Sequence, residues 1–405
     1  MATPDTYASY RVPEPPVVPK WTAFVKSLSN ETEYPWINVA PSPSTNDGGA
    51  TGGAANGVGA AWGTVANAAT EVFSCPTGFW ALSFDDGPVL TDQAMALLKT
   101  NGVVGTFFLI GSNVVNNATH AKFVQDLYNA GHQIALHTWT HRQISLQSTD
   151  EVISELIFNI LSIYNVIGKV PRYFRPPYSA IDDRVRYILH SMGLRPVIWN
   201  IETLDAEIVT PPQQAPFGID IAGQNLTVPL SIQHTENSFN QKYDPRWNYF
   251  PSSTQIGTTG RYTYDGFISL EHETTNTEIQ VAQAIVPFAF QSGLKSVYVN
   301  ECDQILPNAS FYLDDNSLLV QFIKNINLPL TDADYAAFSG FFPANPAGGS
   351  SINGAPTTTD GSSSVFSGSG SKSSSGSGSS PTSFTTPTAN SGSVHYPSEG
   401  KKRKQ

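Results

Sequence analysis

Phe79-Trp80-Ala81-Leu82-Ser83-Phe84-Asp85-Asp86-Gly87-Pro88 is an almost unbroken apolar run that stops at two acids and a Gly-Pro turn. Hydrophobicity without alternation marks a strand buried on both faces, as in a parallel sheet. Working outward, Thr91 to Thr100 has helical periodicity, with Thr91 as a cap and Gly102 as a stop. Gly105-Thr106-Phe107-Phe108-Leu109-Ile110 is strand-like again. His120 to Ala130 reads as a helix stopped by Gly131, and Gln133-Ile134-Ala135-Leu136 as a strand. Asp150 to Ile167 reads as a longer amphipathic helix, with Glu155 and Leu156 on its two faces. Tyr173-Phe174, Val197-Ile198-Trp199, Gly266 to Leu270 and Ser296 to Val299 are further short strands, with helices over 182–192 and 279–292 among them. The alternation predicts an α/β fold on a parallel sheet, open or closed into a barrel. In such folds the active site lies beyond the carboxyl ends of the strands, where the candidate polar residues fall.

Asp85 and Asp86, with His137 and His141 of His137-Thr138-Trp139-Thr140-His141, make an oxygen-plus-nitrogen ligand set for a divalent metal with one open position. Four residues apart on one helical turn, the two histidines share a face. One carboxylate is left over for proton transfer. Taken singly, each motif is also ordinary: Asp-Gly-Pro is turn chemistry, and a histidine pair can be a cap or core feature. Arg175-Pro176-Pro177-Tyr178 is stiffened by its prolines, so it can clamp a carboxylate and present an N–H to an oxyanion, or be a surface turn. Leu270-Glu271-His272-Glu273 ends an apolar strand in a histidine flanked by two acids, which favour a general acid. The four motifs occur in order, each just after a strand, in one α/β domain.

On these residues the chain resembles the polysaccharide deacetylases with a NodB-homology domain, especially fungal chitin deacetylases, over roughly Glu71 to Leu306. The family's [TS]-F-D-D-G-P is matched by Ser83–Pro88, its H-[ST]-x-x-H by His137–His141 and its R-x-P-[YF] by Arg175–Tyr178. The resemblance implies a distorted (β/α) barrel of about seven or eight parallel strands. It implies Asp85 as general base, and Asp86, His137 and His141 as ligands of a divalent metal, zinc first, with cobalt or manganese as alternatives. Arg175 would hold Asp85, the Tyr178 N–H would help form the oxyanion hole, and His272 would be the general acid. Leu270, Tyr178 and Trp139 would face the substrate. The implied reaction is hydrolysis of the N-acetyl groups of chitin or its oligomers, giving chitosan and acetate.

Two motifs depart from the family. Its D-x-x-D-W appears as Glu202-Thr203-Leu204-Asp205-Ala206, so Glu202 is expected to hold Arg175 or tune His272, and the tryptophan is missing. An aromatic residue from 207–263 can replace it. Its L-x-H-D appears as Leu270-Glu271-His272-Glu273. These changes keep two other readings open: an O-acetyl esterase acting on xylan or another acetylated polysaccharide, and a catalytically weak cell-wall glycan-binding protein.

The 405 residues divide into an extended N-terminal arm (1–70), a catalytic domain (71–330) with a long loop at 207–263, a domain end (331–345) and a Ser/Gly/Thr/Pro-rich disordered stalk (346–405). Pro13, Pro15, Pro16 and Pro19 argue against a helix in the first twenty residues, and Trp21 to Leu28 reads as one or two helical turns. A net charge of −11 argues against nucleic acid as a partner. No apolar run reaches the roughly eighteen residues of a membrane helix. Cys75 and Cys302 would form one clasp in an oxidising compartment and two buried thiols elsewhere; fungal deacetylases often bridge these places, so the resemblance implies a disulfide. Asn30, Asn117, Asn225 and Asn308 are glycosylation acceptors in form. The expectation is a monomeric, secreted protein of the cell wall or surface, its signal peptide removed, with a lipid anchor only if its signal lies outside this chain.

Overall fold

The computed structural model describes residues 14–28, 71–208, 226–239 and 266–326. Its strands are β1 (Phe79–Gly87), β2 (Thr106–Leu109), β3 (Gln133–Leu136), β4 (Tyr173–Phe174), β5 (Arg195–Pro196), β6 (Ile201–Glu202), β7 (Phe267–His272) and β8 (Lys295–Val297). All pair in parallel, in the order β5-β4-β3-β2-β1-β7-β6, with β8 added beside the start of β1. β5 and β6 end this path on opposite sides yet follow one another in the chain. The run 195–202 therefore closes the sheet: Val197 N–H donates to Phe174 O (2.8 Å) at one end, and Asn200 N–H to Ile268 O (3.1 Å) at the other. Val72 fills the seam by pairing with Val197. The expected strand over Val197–Trp199 is thus the crossing between two shorter ones. The result is the expected distorted (β/α) barrel.

Alternation along β1 sets two apolar layers. Trp80, Leu82 and Phe84 face the helices, while Ala81 lies inside the barrel with Phe108, Ala135, Tyr173, Ile268 and Leu270. The helices are α1 (Pro19–Leu28), α2 (Thr91–Asn101), α3 (Gly111–Asn116), α4 (Ala118–Asn129), α5 (Thr149–Ile167), α6 (Asp183–Ser191), α7 (Val228–Phe239), α8 (Asn276–Gln291) and α9 (Leu318–Asn325). Most fall where periodicity places them. α4 starts earlier than expected because Asn117 Oδ1 caps it, accepting the His120 N–H at 2.9 Å.

Three elements differ from expectation. The described part of the arm is not simply extended: α1 begins at Pro19, a residue tolerated in a first helical turn. Its Trp21 packs on Phe158 of α5 (5.2 Å between ring centroids), and Phe24 stacks on Phe322 of α9 (3.8 Å). α5 is consequently not amphipathic, since α1 covers one side of it. Every residue from Val152 to Ile163 is buried, Glu155 as fully as Leu156. Finally, α7 lies within the stretch read as a loop, where polar residues mask its period; its Phe239 packs edge-on to Trp80 and Phe267.

Asn117 and Asn308 are exposed, whereas Asn30, Asn225, most of 207–263 and everything beyond Ile326, including the expected domain end and stalk, lie outside the described residues. Among the described residues no helix is long and apolar enough to cross a membrane. Cys75 and Cys302 are joined, 227 residues apart in sequence, tying the entry to β1 to the turn after β8. Replacing both by serine is expected to lower unfolding free energy by about 2–5 kcal/mol, because the reduced chain regains loop entropy when unfolded. Urea unfolding measures it; an unchanged midpoint would show that the clasp contributes nothing.

Candidate active site and metal centre

In a regular strand, neighbouring side chains point to opposite faces, so Asp85 and Asp86 could not serve one site. A bulge removes the difficulty: Asp85 pairs with Phe108 and Gly87 with Leu109, leaving Asp86 unpaired at φ 69°. Both carboxyls then face the barrel mouth. Gly87 is required behind them, because a side chain there would collide with the Glu273 carboxyl.

His137 follows β3. Its Nδ1–H donates to Arg175 O (2.7 Å), which leaves Nε2 as the lone-pair nitrogen. The expected helical turn from His137 to His141 is absent; the segment is an irregular loop in which Thr138 and His141 take φ of 62° and 59°. These two left-handed residues, together with a His141 N–H to Thr138 Oγ1 bond (2.9 Å), bring the imidazoles together instead. Asp86 Oδ1 lies 3.3 Å from His137 Nε2 and 3.2 Å from His141 Nε2. Ligands about 2.1 Å from a tetrahedral zinc ion stand roughly 3.4 Å apart, so this donor set fits one. Asp86, His137 and His141 are all buried, and they form the one such group of acids, histidines or cysteines among the described residues. Burial disfavours an ionised Asp86, but His141 and His137 outweigh it and hold its carboxyl far below the usual range. Burial pushes His141 down to about 3, keeping it neutral as a ligand must be.

Asp85 has a separate support. Arg175 Nη1 donates to Asp85 Oδ1 (2.7 Å) and to Ser83 Oγ (2.9 Å), with the guanidinium carbon 4.1 Å over the Phe108 ring. Arg175 is fully buried, and burial lowers its pKa against the pull of Asp85. On the neighbouring strand the residue in register with Asp85 is His272. Its Nδ1–H and its backbone N–H both donate to the Asp205 carboxylate, each at 2.7 Å. Burial alone would lower the His272 pKa, but the Asp205 charge and hydrogen bond raise it well above the ordinary value. The neighbours Glu271 and Glu273 do not supply that charge as the sequence implied. They point to the other face of β7, and burial pushes both carboxyls well above the ordinary range.

Two further expectations are corrected. Glu202 reaches neither Arg175 nor His272 by a hydrogen bond and acts on both through charge alone; its carboxyl turns back to accept from Trp199 Nε1 (2.8 Å) and Leu204 N–H (2.9 Å), and burial pushes it up to about 8. The longer side chain folds onto its own segment, and Asp205, on the turn that follows, takes the place beside His272. Trp139 does not face a substrate: it is 2% exposed and packs edge-on to Phe158 in the helix layer. Leu270 lies inside the barrel at 3% exposed. Tyr178, at φ 60° after the two prolines, sets its ring 4.8 Å from that of His141. The sequence contained a signal for Asp205 in the second acid of Glu202-Thr203-Leu204-Asp205, but its role went to the first.

Comparison with known proteins matches residues 75–197 to the polysaccharide deacetylase family. Chitin deacetylase 1 of Cryptococcus neoformans is 32% identical over 237 residues, 56% of this chain and 45% of that protein. Chitin deacetylase of Amylomyces rouxii is 32% identical over 238 residues, 58% and 48% of the two chains. The chain thus spans about half the length of the curated relatives it matches. The structure of chitin deacetylase from Colletotrichum lindemuthianum covers 62% of this chain and 99% of its own, at 21% identity and a TM-score of 0.47.

Proposed function

We propose, from the match of residues 75–197 to the polysaccharide deacetylase family, that the protein hydrolyses the N-acetyl groups of chitin or chitin oligomers, outside the cell and at the cell wall, with a divalent metal. The observation that carries this reading is the register of Asp85 with His272 across β1 and β7: a base and an acid on adjacent strands, beside a three-residue metal site. Asp86, His137 and His141 would hold the ion, zinc by this donor set, which supplies Lewis-acid polarisation when bound. Asp85, fixed by Arg175, takes a proton from the attacking water. His272, charged through Asp205, gives its Nε2 proton to the sugar nitrogen as the carbon–nitrogen bond breaks, leaving acetate and a free amine. The Tyr178 N–H is assigned to the oxyanion. A poised acid suits an amide better than an ester, because an amine departs only when protonated, whereas an alkoxide needs less help. Acetate release from chitin oligomers is expected to vanish with a chelator and return with zinc. Release from fully metal-stripped protein would refute the metal role. Activity on acetylated xylan alone would refute the substrate.

A further inference from the structure

The loop 137–141 presents two of the three proposed ligands, yet it has no regular structure and two left-handed residues, a conformation that persists only when its surroundings impose it. Its backbone bonds show what does so. On one side α3 begins: Gly111 N–H donates to Thr138 O (2.9 Å) and Ser112 N–H to Trp139 O (3.1 Å). A Cβ at Gly111 would stand 2.7 Å from Trp139 Cε3 and 2.9 Å from Asn159 Cα, so α3, the loop and α5 meet there at backbone contact. On the other side is α5. Asn159 Oδ1 accepts the His137 N–H (2.9 Å), and its amide donates to Leu109 O (2.9 Å). Glu155 Oε2 accepts both the Trp139 and Thr140 N–H groups (2.8 Å each), while Oε1 accepts from Thr140 Oγ1 (2.5 Å). Glu155 and Asn159, four residues apart, share one helix face.

Glu155 is wholly buried and is the one charged side chain in the buried run 152–163 of α5. A carboxyl there is unfavourable unless its hydrogen bonds compensate, and three of them come from the loop. We propose that Glu155 is a positioning residue for the metal centre: with Asn159 it holds the loop so that His137 and His141 direct Nε2 at the point Asp86 faces. The proposal rests on the metal-dependent reading above. Burial pushes the Glu155 carboxyl up, with the Thr140 and Trp139 bonds opposing, and a neutral amide can replace it: one oxygen accepts both N–H groups while Nε2 donates to Thr140 Oγ1.

The test measures zinc affinity of folded Glu155→Ala, Glu155→Gln and Thr140→Val by competition with a chromogenic chelator, beside the melting temperature of each metal-free protein. Loss of an outer support typically weakens metal binding about 10–100-fold. That loss is expected for Glu155→Ala, a smaller one for Thr140→Val, and near wild-type affinity for Glu155→Gln. Wild-type affinity in Glu155→Ala, even with a lower melting temperature, would overturn the proposal and leave Glu155 a purely structural group. If that variant does not fold, unchanged affinity in Thr140→Val overturns it equally. Wild-type protein that binds no zinc would instead refute the metal reading itself.

Discussion

Asp85→Asn is expected to reduce acetate release from chitin oligomers about a thousandfold or more while the protein still binds one zinc ion. The amide matches the carboxylate in size, and its oxygen can still accept from Arg175 Nη1, which now donates to Asp85 Oδ1 at 2.7 Å. What disappears is the only property the proposed base must have, the ability to take a proton. The metal site should survive because the oxygen closest to both imidazoles belongs to Asp86, at 3.3 and 3.2 Å, whereas Asp85 Oδ2 lies 3.5 Å from His137 alone. Steady-state rates and metal analysis on one preparation check both halves. Loss of zinc together with activity would show that the two acids have been assigned the wrong way round.

Asp205→Asn should move the alkaline limb of the pH profile of kcat/KM to lower pH and reduce the maximal rate about a hundredfold or more. The sign follows from the largest influences on His272. Burial disfavours the charged imidazole, and the Asp205 carboxylate reverses this, raising the pKa well above the ordinary histidine value. A general acid raised in this way stays protonated below its folded pKa and is lost only as pH climbs through it. Without the Asp205 charge, burial is opposed only by the smaller pull of Asp86 and Glu278, so the proton departs at lower pH. Glu202→Gln, by contrast, should move that limb much less, since Glu202 hydrogen-bonds Trp199 and Leu204 and meets His272 through charge alone. A common shift in both variants would assign the tuning to the whole acidic cluster.

The barrel was legible because buried parallel strands write themselves as unbroken apolar runs: Phe79 to Phe84 could be little else. The positions that converge at its mouth could be named for a related reason, as they sit where those runs stop. Geometry beyond the strands was not legible. Four-residue spacing suggested a helical turn between His137 and His141, but nothing local records that Thr138 and His141 adopt positive φ, a state imposed by α3 and α5. The resemblance implied that Trp139 would face the substrate; in an irregular loop, however, neither period predicts direction, and its ring turned to Phe158. Glu155 read as a solvent-facing residue because the pattern of α5 does not reveal that α1, from far earlier in the chain, covers it. Asp205 was not singled out because only the turn after β6, unreadable from the sequence, brings its carboxylate to His272, while Glu202 beside Leu270 folds back on Trp199.

The unpaired residue at the end of β1 has a consequence for how the centre behaves when the molecule is warmed or loosened. Asp85 and Asp86 are joined by one peptide unit, so their Cα atoms stay about 3.8 Å apart whatever the strands around them do. His272 and the two loop histidines arrive on other segments, and their distances from the acids depend on ladders and packing that breathe. The peptide link does not aim the two carboxyls, however; the offset of β1 against β2 does, so heat that loosens that ladder should scatter the acid pair along with the imidazoles.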